Sequence, residues 1–138
     1  QWAVKLEKEI ATKKANGTFT TSKPEKEYEL YLKSIYGDDN VIAQYVDDRY
    51  RSPHSGKKYW CDFYIKSKDL FIECNWFWMH GFRPYDPTDE WCINKLASWQ
   101  EKALTSKTYR HAIYVWTQLD VEKRTVAKEN NLNFLEVY

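Results

Sequence analysis

Apolar and polar positions alternate in two short runs near the middle of the chain, YWCDFYI at 59–65 and LFIECNWF at 70–77. Lys66-Ser67-Lys68-Asp69 separates them, and the pattern predicts a β-hairpin or two strands joined by a short loop. VIAQYV at 41–46 reads as a further strand. Upstream, PEKEYELYLKSIYG carries Tyr28, Leu32 and Ile35 at helical spacing, with Tyr31 beside them. Ser22, Pro24 and Glu25 form its start signal, since Ser-x-x-Glu is a capping box, and Gly37 is its stop. Residues 1–17 read as a polar helical extension, closed by the Asn16-Gly17 turn signal. Downstream, MHGFRPYDPTDE is a loop, and a helix is expected from about Thr88 to Leu104. HAIYVW at 111–116 reads as a buried strand, LDVEKRTVAKENN as a helix and LNFLEVY as a closing strand. The expected order is α-β-β-β-α-β-α-β. That order makes an α/β fold with a mixed central sheet flanked by helices, its last two strands parallel with a right-handed crossover.

The 138 residues fit a single domain, 1–138, and 43% hydrophobic content suffices for a core. Seven Trp and eleven Tyr fill cores, but such rings also stack on bases. A formal charge of +1 gives no global basic field, so a nucleic-acid partner would need clustered charge. Cys61, Cys74 and Cys92 are odd in number and not closely paired, which fits a reducing, cytoplasmic compartment better than a disulfide framework. No Cys/His spacing suggests zinc, no apolar run approaches a membrane span, and no signal peptide opens the chain. It begins at Gln1, without Met, which raises the expectation of a fragment of a longer protein with a further partner domain.

The two middle runs hold groups that a core rarely holds. A buried polar group without a partner costs roughly 1–3 kcal/mol. Strand alternation puts Trp60, Asp62 and Tyr64 on one side and Phe71, Glu73 and Asn75 on one side of the next strand. If the strands pair, Asp62 lies beside Glu73 and Asn75. Two carboxylates at strand ends with main-chain carbonyls beside them are hard oxygen donors that suit Mg²⁺. An acid inside YWCDFYI has no capping role, whereas Glu73 has the alternative of pairing with a lysine and Asn75 of ending its strand.

Asp-x10-Glu-Cys-Asn resembles the core of the PD-(D/E)xK nuclease superfamily, with Asn75 where a lysine usually stands. The longer stretch CDFYI…DLFIECNWFWMHGFRPYD is similar to the Vsr-like branch, especially the phage-encoded homing endonucleases described by the motif EDxHD. SKPEKEYELYL matches the helix that bears the family's first acid, and HAIYVWTQLDVEKRTVAKENNLNFLEVY its closing strand-helix-strand. The resemblance covers about residues 18–138. It implies a divalent-metal-dependent endonuclease acting on double-stranded DNA, with Mg²⁺ or Mn²⁺ as cofactor, in a phage-infected bacterial host, and with a homodimer or an additional DNA-binding domain in the full-length protein. Carried over, Glu25 takes the helix Glu and Asp62 the central Asp, a direct metal ligand. Glu73 takes the second acid, and the backbone carbonyl of Cys74 is the main-chain ligand. His80 takes the motif His and Asp86 the last Asp, with Asp89 an alternative that also reads as a helix-cap residue. Asn75 departs from the pattern and can orient water but not exchange a proton.

On this reading His80 activates water or protonates the leaving group, as imidazole titrates near neutrality, and Asp86 orients it or binds metal. Arg49, Arg51, Lys57, Lys58, Lys107 and Arg110 are the expected phosphate contacts. Lys123 and Arg124 read as surface charges, Trp76 and Trp78 as packing, and Cys61 and Cys74 as inert core thiols. Two rivals share the core: a mismatch-type repair endonuclease that nicks one strand, and a catalytically inactive nucleic-acid-binding domain.

Overall fold

A computed structural model of the chain describes residues 23–138. The expected helix at 1–17 and the cap residue Ser22 lie outside the described residues. The chain divides at Val41 into two compact units, 1–41 and 42–138.

In the first unit, helix α1 spans Lys23–Tyr36 with Glu25 in its first turn. Gly37 ends it with a positive φ, 92°, that favours glycine, and its N–H bonds the Lys33 carbonyl at 2.9 Å. Leu32 alone of the expected inward stripe is buried; Tyr31 and Ile35 are more than half exposed.

The second unit is built on a four-stranded mixed sheet flanked by helices. Its strands are β1 (Val41–Tyr45), β2 (Cys61–Ile65), β3 (Leu70–Cys74) and β4 (Asn133–Val137), in the order β1-β2-β3-β4. β2 and β3 form the expected antiparallel hairpin, with Phe63 opposite Ile72 and Tyr64 opposite Phe71. A single 3₁₀ turn at Lys66–Lys68 joins them, closed by Asp69 at φ 46°. Tyr64, Phe71, Tyr50, Tyr59 and Val126 form one core cluster, in which Tyr50 and Phe71 are wholly buried.

The expected strand at 111–116 is helix. Between β3 and β4 lie α2 (Glu90–Ala103), α3 (Lys107–Tyr114), a π-helical turn (Val115–Leu119) and α4 (Asp120–Glu129). The reason is periodicity: Ala112, Val115 and Trp116 are buried at i, i+3 and i+4, which is a helical face. A short apolar run cannot by itself separate a buried strand from a helix. Ser106 caps α3 by accepting the Tyr109 N–H, and Asp89 caps α2 by accepting the Cys92 N–H. The parallel partner of β4 is therefore β3, with Glu73 opposite Glu136 and Phe71 opposite Phe134. A second cluster, of Cys92, Trp99, Ala112 and Trp116, joins α2, α3 and the π-turn. Cys61, Cys74 and Cys92 are buried and form no disulfide, and burial pushes the Cys61 thiol pKa far up, as expected of an inert core group. No helix among the described residues is long and apolar enough to cross a membrane.

Candidate functional site

The site begins where the hairpin ladder opens. At the Cys61/Cys74 end β3 turns toward β4: the Asn75 N–H bonds the Val137 carbonyl at 2.7 Å. Two carboxylates take over across the hairpin. Asp62 Oδ2 accepts the Cys74 N–H at 2.7 Å, and Glu73 Oε1 accepts the Asp62 N–H at 3.1 Å. The pair expected from strand alternation is thus together, each acid on the other's strand.

Glu73 is 4% exposed, so its charge needs compensation. Its Oε2 accepts the Tyr50 O–H at 2.6 Å and the Lys123 ammonium at 3.1 Å. Lys123 is therefore no surface charge: α4 packs against the sheet and carries it onto the carboxylate. Burial alone would lower the Lys123 pKa, but Glu73, with Asp62 and Asp120, outweighs it and raises it. Burial first, then the Glu73 charge, pushes the Tyr50 phenol strongly up. Arg124 is likewise paired, through Nε and Nη2 with Glu136 at 2.5 and 2.9 Å. Asn75, also buried, donates its side-chain amide to Glu136 Oε2 at 2.9 Å.

His80 closes a 3₁₀ turn, Trp78–His80. Its Nδ1 lies 2.6 Å from Oδ2 of Asp120, the first residue of α4 and 4% exposed. The carboxylate on the imidazole thus belongs to Asp120, neither Asp86 nor Asp89. Asp86 is exposed and accepts the Thr88 N–H and O–H at 2.8 and 2.7 Å, an ordinary turn. Asp120 and Lys123, with Glu73, Asn75, Phe134 and Glu136, line one small cleft. Glu25 stands in the other unit.

Among the described residues no group of three or more His, Cys, Asp or Glu side chains is placed to hold one metal ion. Both Glu73 oxygens are engaged, Oε1 by the Asp62 N–H and Oε2 by the Tyr50 O–H and the Lys123 ammonium. Asp62 and the Cys74 carbonyl, the other expected donors, are hard oxygens of the kind Mg²⁺ takes together with waters and substrate phosphates, and Asp62 Oδ2 already accepts the Cys74 N–H.

The expected phosphate contacts are partly compensated from within. Arg49 bridges Asp47 and Asp69 at 3.0 and 2.8 Å, and Arg51 and Lys58 both pair with Asp48. The same loop supplies the acids, Asp47 and Asp48, so it is no bare cationic patch. Lys57 and Lys107 are exposed, and exposed Arg110 caps the Ala103 carbonyl at 2.7 Å. Trp78 packs against Trp99 and Tyr109, as expected. A more open set of rings and cations follows His80. Phe82 is 56% exposed, Lys95 lies 4.7 Å over its ring, and Arg83 lies 3.9 Å over the Trp91 ring.

Asp120, Lys123, Tyr50 and Glu136 carry no local motif. One signal was available: with 111–129 read as helix, Trp116, Asp120, Lys123 and Ala127 fall on one face at i, i+4, i+7 and i+11. No family model, no curated protein and no solved structure matches the chain.

Proposed function

We propose that this chain is the catalytic domain of a divalent-metal-dependent endonuclease that hydrolyses phosphodiester bonds in double-stranded DNA. Its likeness to the EDxHD endonucleases points to a phage-encoded homing enzyme. The observation that carries the reading is the His80–Asp120 pair at 2.6 Å, whose carboxylate borders the same cleft as Glu73. A buried carboxylate on Nδ1 selects the tautomer with the proton there and leaves Nε2 to exchange protons. It also stabilises the imidazolium formed when His80 takes a proton from an attacking water. That proton passes from His80 to solvent, and the leaving oxygen, on the opposite side of the phosphorus, takes its own from water.

Asp62 and the Cys74 carbonyl would hold Mg²⁺ or Mn²⁺, which when bound polarises the scissile phosphate and stabilises charge on the leaving oxygen. Lys123 compensates the Glu73 charge beside them. The rings and cations of Phe82, Trp91, Arg83 and Lys95 suit a nucleic acid, since aromatic faces stack on bases and cations meet phosphates.

The test is conversion of supercoiled plasmid to open-circle or linear DNA by the purified chain in Mg²⁺. Activity abolished by a chelator is expected, and no conversion in Mg²⁺ or Mn²⁺ would overturn the proposal. Preference for a mismatched over a matched duplex would mark a repair-type nicking enzyme instead. One observation favours a second reading, a nucleic-acid-binding domain without catalysis: the saturation of Glu73 by Tyr50 and Lys123. Metal titration separates the two, since the binding domain would lose no metal affinity on Asp62→Asn.

A further inference from the structure

Gly81, directly after His80, is held against an indole. It is left-handed, φ +71°, and a Cβ there would lie 2.3 Å from Cε2 and Nε1 of Trp116. Any side chain would displace the ring or the turn. Phe82 continues in the left-handed region at φ 69°, unusual for an aromatic residue and costly unless its surroundings enforce it. The enforcing contact is one residue further on: Trp116 Nε1 donates to the Arg83 carbonyl at 2.8 Å. Trp116 is 1% exposed and packed by Tyr85, Trp91 and Trp99. It is itself a fixed support.

Trp116 lies within the π-turn Val115–Leu119, and that turn ends on the imidazole's partner. The Asp120 N–H bonds the Val115 carbonyl, the i to i+5 pattern of a π-helix. The indole that holds the 80–83 turn and the carboxylate that holds the His80 ring thus stand four residues apart on one short segment. We infer that Trp116 is a positioning residue for His80, fixing its turn through Gly81 and the Arg83 carbonyl so that Nδ1 meets Asp120. This inference rests on the proposed reaction only where turnover is measured; its geometric content does not depend on the reaction.

The test uses Trp116→Phe, which keeps a packed ring but removes the N–H donor, and Gly81→Ala, which pushes the turn from the other side. The first readout is the downfield proton resonance of the His80 Nδ1–H held by Asp120. It is expected to broaden or vanish in both variants while the far-ultraviolet spectrum is kept. A resonance unmoved and equally protected in a folded Trp116→Phe would overturn the inference. The second readout is kinetic, with kcat lowered about 100-fold, the scale of a 1 Å misplacement, and KM unchanged. A fall in substrate affinity with kcat retained would also overturn it. If the chain cleaves nothing, the proposed function fails and the resonance still decides. If Trp116→Phe does not fold, hydrogen exchange in the unaltered chain decides. The Trp116 Nε1–H and His80 Nδ1–H should become exposed in one common opening, whereas His80 opening while the indole stays protected would refute the hold.

Discussion

Lys123→Met removes the ammonium from a carboxylate that the fold keeps dry. At 3.1 Å the pair carries about 5 kcal/mol of Coulomb attraction at an effective dielectric near 20, most of it offset by desolvation of the two ions. The loss in the variant is set by the charge left behind, which for a fully buried pair costs ~3–5 kcal/mol. Glu73 keeps the Tyr50 O–H and the Asp62 N–H, and the Lys123 side chain is 19% exposed. These place the expected loss near the lower limit, about 3 kcal/mol. In a domain of this size that lowers Tm by roughly 10 °C. Adding Glu73→Gln removes the stranded charge while retaining an acceptor for Tyr50, and should recover about 2 kcal/mol. Urea unfolding of the four proteins closes a double-mutant cycle. A coupling energy below about 0.5 kcal/mol would refute the view that Lys123 is the counter-ion of Glu73.

Three further outcomes follow from the same contacts. Tyr50→Phe leaves Glu73 one donor short and should cost about 1–2 kcal/mol in urea unfolding, against near neutrality if that hydrogen bond is idle. Asp120→Asn keeps the shape of a buried side chain but offers Nδ1 an amide. Turnover should fall by at least ~10²-fold with the fold retained, and unchanged turnover would remove Asp120 from the mechanism. The hydrogen bonds from Arg49 hold both Asp47 and Asp69 at about 2, below the ordinary 3.8. Depressed carboxylates stabilise the fold above their ordinary value and lose that contribution as pH falls from near 4 toward 2. Arg49→Gln should therefore flatten the stability profile in that window, modestly because the pair is half exposed; an unaltered profile would show the bridge to be inert.

The hairpin and the meeting of Asp62 with Glu73 were legible because strand alternation has a period of two and the turn between the runs is short. The alternative of a lysine partner for Glu73 was legible too, but not which lysine. Lys123 lies 50 positions away, and only the docking of α4 on the sheet brings it there. HAIYVW is a short apolar run that satisfies both a buried strand and a helix, and the Ser106 cap ahead of it decides for helix. Asp120 falls within the expected helix LDVEKRTVAKENN, but nothing local in the sequence joins it to His80, 40 positions away. The basic loop was read by its cations, although Asp47 and Asp48 in the same loop neutralise most of them.

The most direct measurement is the single-turnover cleavage rate of one labelled DNA duplex in Mg²⁺, for the unaltered chain, Asp62→Ala and His80→Gln. Each variant is expected to bind the duplex with unchanged affinity and to cleave it at least ~10²-fold more slowly. Cleavage at the parent rate by either folded variant would contradict the assignment of a hydrolytic centre to Asp62 and His80.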